Sequence, residues 1–169
     1  VLMQPYNPAE EVVVIVDHDN QPIGAVTRKI MRQQRLIHRA SYILVFNTAG
    51  ELYIQKRSRA KDIYPGYWDL AAGGVVLEGE SYEQSAKREL REELGISGVK
   101  LRPLFDQYYE DTSNRVWGRI FACTSNGPFT LQHEEIDYGR FIALAEIEQL
   151  NRVEPVTPDG MRLLERVPH

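Results

Sequence analysis

The sequence predicts an α/β (α+β) layered domain, and three observations carry that prediction. Short β-branched or apolar runs bounded by turn residues recur along the chain, as in Val12–Val16 and Ser41–Asn47. One strongly amphipathic helix pattern lies between Ser81 and Gly95. Two shorter helical patterns close the chain, Ala145–Leu150 and Pro158–Val167. Strands that alternate with helices bury their apolar faces by stacking in layers. With 169 residues, 43% of them hydrophobic and 26% charged, the chain is sized for a single domain over 1–169. Its expected core spans about 38–150, with an N-terminal β-hairpin over 11–27 and a C-terminal helix over 158–167.

The elements follow in order. Val12–Val16 ends in Asp17-His18-Asp19-Asn20, a strand then a turn, and Pro22–Val26 supplies the return strand. Thr27–Arg35 is polar and basic, a short helix or loop. Ser41–Asn47 is an apolar strand, Thr48-Ala49-Gly50 a turn, and Glu51–Arg57 its hairpin partner. Arg59–Gly66 is a loop punctuated by Pro65-Gly66, and Tyr67–Ala72 a short strand. The central helix opens on Ser81, with Gln84 completing a capping box. Ala86, Leu90 and Leu94 form its buried stripe, and Gly95 suits a left-handed C-terminal cap. Val99–Tyr109 and Arg115–Thr124 are strands around Asp111–Asn114, and Phe141–Leu144 is the last strand. Thr157 and Pro158 begin the final helix as cap and first residue.

Composition narrows the function. Lys+Arg 20 against Asp+Glu 24 leaves a net charge of −4, which argues against a nucleic-acid partner but not against a small phosphate ligand held through metal. No apolar run reaches the roughly 18 residues of a membrane span, and residues 1–11 lack the pattern of a signal peptide. A single cysteine, Cys123, excludes an internal disulfide and suits a cytoplasmic protein. Four scattered histidines exclude a structural zinc finger.

The acidic charge is concentrated. From Gly74 to Ile96, Glu78, Glu80, Glu83, Glu89, Glu92 and Glu93 stand against Lys87, Arg88 and Arg91. Glu89, Glu92 and Glu93 share one helix face, where like charges repel by a few tenths of a kcal/mol per pair. Two offsets are open. Arg88, Arg91 and solvent form one, and a divalent cation with hard oxygen ligands forms the other.

The wider pattern is Gly74, five residues, Glu80, seven residues, then Arg88-Glu89-Leu90-Arg91-Glu92-Glu93-Leu94-Gly95-Ile96. It resembles, without exception, the signature of the Nudix hydrolase family, G-x5-E-x7-R-E-U-x-E-E-x-G-U with U bulky and aliphatic. At ordinary residue usage, a chance match at one start is on the order of 10⁻⁸. The resemblance implies a Nudix α/β/α sandwich with a mixed sheet and a loop-helix-loop motif. Outside the box, Asp19–Gly24, His38-Arg39-Ala40, Gly50–Arg57 and Lys61–Trp68 look like the branch of the superfamily that contains isopentenyl-diphosphate isomerase. That isomerase uses a cysteine in the strand leading to the box and several histidines. Here the strand reads Trp68–Gly74 with no cysteine, and Met31 stands where a second histidine beside His38 belongs.

The resemblance therefore implies a metal-dependent pyrophosphohydrolase acting on a nucleoside diphosphate linked to another moiety, or on a related diphosphate. An isomerase-like activity and a non-catalytic nucleotide-binding regulator are the alternatives. The implied cofactor is Mg²⁺, with Mn²⁺ as substitute. Glu89 and Glu93 are the implied metal ligands, with Glu92 and the Gly73 carbonyl beside them. The general base comes from Glu93 and Glu89, then Glu134 or Glu135, because this role moves within the family. Arg88 belongs to the catalytic set by orienting the carboxylates. Glu80 either ligates metal or fixes the loop. Arg57 and Lys61, in a run with Lys56 and Arg59, are candidates to steer the diphosphate, and Glu134 and Glu135 stand on the loop that commonly reaches the cluster. Trp68 reads as core or as a base-stacking ring, and Tyr108, Tyr109 and Trp117 carry the same ambiguity. The expected partner is a small diphosphate, with no nucleic acid and no membrane, and homodimers are common in the family.

Overall fold

The computed structural model describes residues 7–168. The first part of the signal-peptide reading, over 1–6, and His169 lie outside the described residues. Nine strands and four helices follow one another as β1 (Val12–Val16), β2 (Pro22–Thr27), α1 (Arg28–Gln34), β3 (His38–Phe46), β4 (Leu52–Arg57), β5 (Trp68–Asp69), β6 (Ala72–Val75), α2 (Tyr82–Leu94), β7 (Arg102–Glu110), β8 (Arg115–Thr124), β9 (Ile136–Ile142), α3 (Ile147–Val153) and α4 (Pro158–Leu164). Among them, no helix is long and apolar enough to cross a membrane.

β3 is the hub. It runs antiparallel to β6 from Ala40↔Val75 to Ile43↔Ala72 and parallel to β8 from His38↔Val116 to Phe46↔Thr124. β7 extends this side through β8. β4 instead pairs with β9 and β5. The sheet is therefore mixed, and a strand's alternation decides which helices it meets. Ile43 and Val45 of β3 pack with Tyr82, Ala86, Leu90 and Leu94 of α2. Leu44 packs on the opposite side with Ile147, Leu150, Leu163 and Leu164 of α3 and α4. Helices thus cover both faces, which is the α/β/α sandwich expected.

α2 forms where its caps are written. Ser81 Oγ accepts from Gln84 N at 3.1 Å, and Gln84 Oε1 accepts from Ser81 N at 2.9 Å. Gly95 ends it at φ +69. The undecided Thr27–Arg35 segment is a helix, because Thr27 Oγ1 accepts from Ile30 N and Arg35 takes a left-handed cap at φ 52.

Several elements depart from the sequence reading. β3 and β4 are joined by the 48–50 turn but pair only at Phe46↔Leu52, because β6 and β8 occupy both edges of β3. The Tyr67–Ala72 strand is two strands: Trp68–Asp69 pairs with β4, and after Leu70-Ala71 the chain crosses to pair with β3. The last strand begins at Ile136 rather than Phe141. Its exposed Asp137, Tyr138 and Arg140 hide the pattern. Ala145–Leu150 is a 3-10 turn followed by α3, and the final helix stops at Leu164. Thr157 caps that helix through its carbonyl, to Met161 N at 3.0 Å, and makes no side-chain cap bond.

Candidate active site

The site is a polar cleft where the acidic face of α2 meets the turn from β6. Register explains its position. β6 pairs with the middle of β3, which holds Gly73 and Gly74 under the Glu89–Glu93 face. Gly73 has φ +131, and a Cβ there would lie 2.0 Å from the Ser41 carbonyl oxygen. A Cβ on Gly74 would lie 2.8 Å from Glu89 Oε1. Two glycines are thus what let backbone and carboxylates approach.

The predicted carboxylates meet there on different terms. Glu93 is 7% exposed, and its Oε2 accepts from Gly73 N at 3.0 Å and from Gln55 Nε2 at 3.5 Å. Burial, then the charge of Glu89, raises its pKa well above the carboxylate range. Burial also raises Glu89, although Arg88 pulls the other way. Glu92 is 45% exposed in its side chain and stands at the rim.

Arg88 is the centre of the rim. Its Nε and Nη2 donate to Glu80 at 2.6 and 2.9 Å, and its Nη1 donates to Glu89 at 2.9 Å and Glu92 at 3.1 Å. Glu80 Oε1 also accepts from Leu77 N at 2.9 Å. Glu80 therefore fixes the loop, one of its two readings. Burial alone would lower the Arg88 pKa, but Glu80 and Glu89 outweigh it and raise it.

The substrate-side candidates divide. Lys61 pairs with buried Glu135, and both line the cleft. Burial, with Arg57 and Arg28 nearby, lowers Lys61 to about 8. Glu134 lines the neighbouring outer groove beside His133 rather than the cleft. Arg57 donates to Asp69 at 2.8 Å and to the Ile63 carbonyl. Of the four cations expected together, Arg57 and Lys61 line cavities at the site. Lys56 pairs with Glu154 and lies over the Trp68 ring, and Arg59 is exposed. Strand alternation sends Lys56 to the face opposite Gln55 and Arg57.

Trp68 is core, 1% exposed, with its indole N–H on Glu154. Tyr109 is buried with Val116, and its hydroxyl meets Asp111 at 3.0 Å. Tyr108 and Trp117 pack on each other and on His18. The isomerase candidates lie in packing positions. Cys123 is 5% exposed in the core under α2, with its thiol pushed up to about 11 by burial. Met31 is in the core beside β1. His38 is buried with Nδ1 3.1 Å from the Leu36 carbonyl.

Three lining residues escaped the sequence reading. Glu11 and Arg28, 3.6 Å apart, both line the cleft, and Gln132 joins them. Nothing local marks Glu11, because the β1–β2 hairpin and α1 bring it in. Gln55 carried one signal, a polar residue inside an apolar strand, and its Oε1 is buried without a partner among the described residues.

The donor set suits a hard divalent cation. It offers carboxylate oxygens from Glu89, Glu92, Glu93 and Glu135, and Gly74 has no side chain to block them. As they stand, no three acidic or His/Cys side chains among the described residues are gathered to enclose an ion. Glu89 and Glu92 are drawn to Arg88, Glu93 to Gly73 N and Glu135 to Lys61. Of the two offsets weighed for the acidic face, Arg88 supplies the first.

Comparison with known proteins gives the family and the fold. Residues 36–164 match the NUDIX domain family. A Pseudomonas aeruginosa protein named as an uncharacterized Nudix hydrolase is 44% identical over 158 residues, covering 91% of each chain. The uncharacterized Nudix hydrolase YfcD of Escherichia coli is 42% identical over 154 residues, covering 91% of this chain and 84% of its own. The crystal structure of DR0079 from Deinococcus radiodurans superposes with TM-score 0.83 at 24% identity, over 94% of this chain and all of that one. The NUDIX domain of Shewanella oneidensis NrtR, solved with ADP ribose, superposes with TM-score 0.61 at 18% identity, over 76% and 84% of the two chains. The last two are likenesses of fold. With a complete signature, the α/β/α architecture and these relatives, the chain belongs to the Nudix family and is a hydrolase of phosphorus-containing anhydrides.

Proposed function

We propose that the enzyme is a metal-dependent pyrophosphohydrolase. It cleaves a nucleoside diphosphate linked to another group, or a related diphosphate, by attack of activated water on phosphorus. The observation that carries this reading is the charge imbalance of the cleft: Glu11, Glu89, Glu92, Glu93 and Glu135 line it against Arg28 and Lys61. Such crowding suits a site completed by a cation.

When bound, Mg²⁺ or Mn²⁺ supplies charge neutralisation of the diphosphate and a lowered pKa for water. Glu89 and Glu93 would hold the ion, with Glu92 and the Gly73 carbonyl as further candidate ligands. Arg88 orients Glu89 and Glu92 on the rim of the cleft, where both line the space an ion would take. One of Glu93 and Glu89 accepts the proton of the attacking water. Glu135 is the next candidate, ahead of Glu134, because Glu135 lines the cleft. Lys61 and Arg57 hold phosphate oxygens as charge leaves with the departing group. Magnesium as the working ion and a cytoplasmic setting belong to the same reading.

No specific observation favours the isomerase, whose thiol would have to come from the core position of Cys123. The complete set of box glutamates favours turnover over a binding-only regulator. The test is incubation with nucleoside diphosphate derivatives, ADP-ribose among them, plus Mg²⁺ or Mn²⁺. Release of mononucleotide or phosphate that stops on chelation is expected. A folded sample that takes up neither ion by calorimetry and releases nothing overturns the proposal.

A further inference from the structure

A second cavity opens beside the carboxylate cleft and shares Arg28, Lys61, Gly73 and Gly74 with it. From there it extends past Tyr42 and Asp69 to Thr157 and Asp159 at the start of α4. A diphosphate held over Gly73–Gly74 thus has this cavity as a direct continuation. Its free space matches roughly half a dozen waters, the bulk of a pentose or hexose ring.

Asp159 is the informative group. It is a buried carboxylate, 9% exposed, on the cavity wall. Its Oδ2 accepts from Tyr42 OH at 2.8 Å, and its Oδ1 from Gly160 N at 3.2 Å. Neither donor is charged, and the nearby Arg57 donates to Asp69 and the Ile63 carbonyl rather than to Asp159. A buried carboxylate is costly unless donors fill its lone pairs. Two neutral donors leave acceptor positions over, on a wall that faces free space. A molecule that donates there finds acceptor positions on Asp159.

The rest of the lining selects among donors. Arg28, Arg32, Arg57 and Lys61 border the cavity against Asp69 and Asp159, a balance that disfavours an ammonium group. An isoprenoid tail would strip water from these charges and return nothing. The side of the Tyr42 ring on Gly118, where a Cβ would lie 2.4 Å from it, is closed to a flat base. Neutral hydroxyls both donate to Asp159 and accept from the arginines.

We propose that this cavity is a subsite for a sugar joined to the diphosphate, with Asp159, held by Tyr42, accepting hydrogen bonds from the sugar hydroxyls. The assignment rests on the pyrophosphohydrolase reading, because the diphosphate must lie in the cleft for its attached group to enter. Direct binding tests it without turnover. Calorimetry compares ribose 5-phosphate with butyl phosphate, which carries the same phosphate and no hydroxyls. The wild-type enzyme is expected to bind ribose 5-phosphate at least tenfold more tightly. Asp159→Asn and Tyr42→Phe should each cut that ratio at least fivefold, and Tyr42→Phe removes only one oxygen should the first variant fold poorly. Steady-state rates on ADP-ribose and butyl-ADP should show the same loss of preference, mainly in KM. Equal binding of the two phosphates, no binding of either, or an unchanged ratio in a folded variant overturns the subsite. Hydrolysis without the sugar preference removes this inference alone. The preference without any metal-dependent hydrolysis removes the enzymatic reading instead.

Discussion

The two faces of α2 obey opposite rules. On one, Ala86, Leu90 and Leu94 are at most 1% exposed and pack on Ile43 and Val45 of β3. On the other, Glu89, Glu92 and Glu93 repel one another and are held by Arg88, Gly73 N and Gln55. The apolar face releases free energy on folding. The acidic face costs it, and keeps carboxylates in a form that a cation or substrate can use. The packing face and the candidate site are thus separated by about a third of a turn of one helix.

That separation can be broken by substitution. Glu93→Gln keeps the shape of the buried side chain and removes its charge, so metal-dependent turnover should fall by roughly 10²–10⁴-fold while the thermal midpoint holds or rises. Undiminished turnover would take Glu93 out of the mechanism. Leu90→Ala should cost about 2–5 kcal/mol of stability in denaturant unfolding, with specific activity of the folded fraction retained. A loss under 1 kcal/mol would show that the apolar face is not what anchors α2. Arg88→Gln tests the boundary between the faces, because it frees three carboxylates at once. A stability loss of about 1–3 kcal/mol is expected without metal, shrinking when Mn²⁺ is added. A loss of the same size with and without Mn²⁺ would mean that cation and arginine do not share a task.

The elements legible in the sequence were those with local causes. The capping box at Ser81–Gln84 and the Gly95 cap bounded α2, and the Val12–Val16 and Pro22–Thr27 hairpin followed from its turn. Elements with distant causes were misread. The splaying of β4 from β3, and the break at Leu70-Ala71, depend on which strand already occupies each edge of β3. The polar face of β9 offered no periodicity to read until β4 was placed beside it. The site divided in the same way. Box glutamates were visible by spacing, whereas Glu11, Arg28 and Asp159 reach their cavities only through the fold.

By itself the sequence determined the family, the amphipathic helix and the set of carboxylates, because spacing along one helix is enough to place them on one face. Only the tertiary structure decided which partner each carboxylate takes and what space adjoins them. Those outcomes depend on burial and on contacts between segments up to 117 residues apart, as for Tyr42 and Asp159, and no local pattern encodes them.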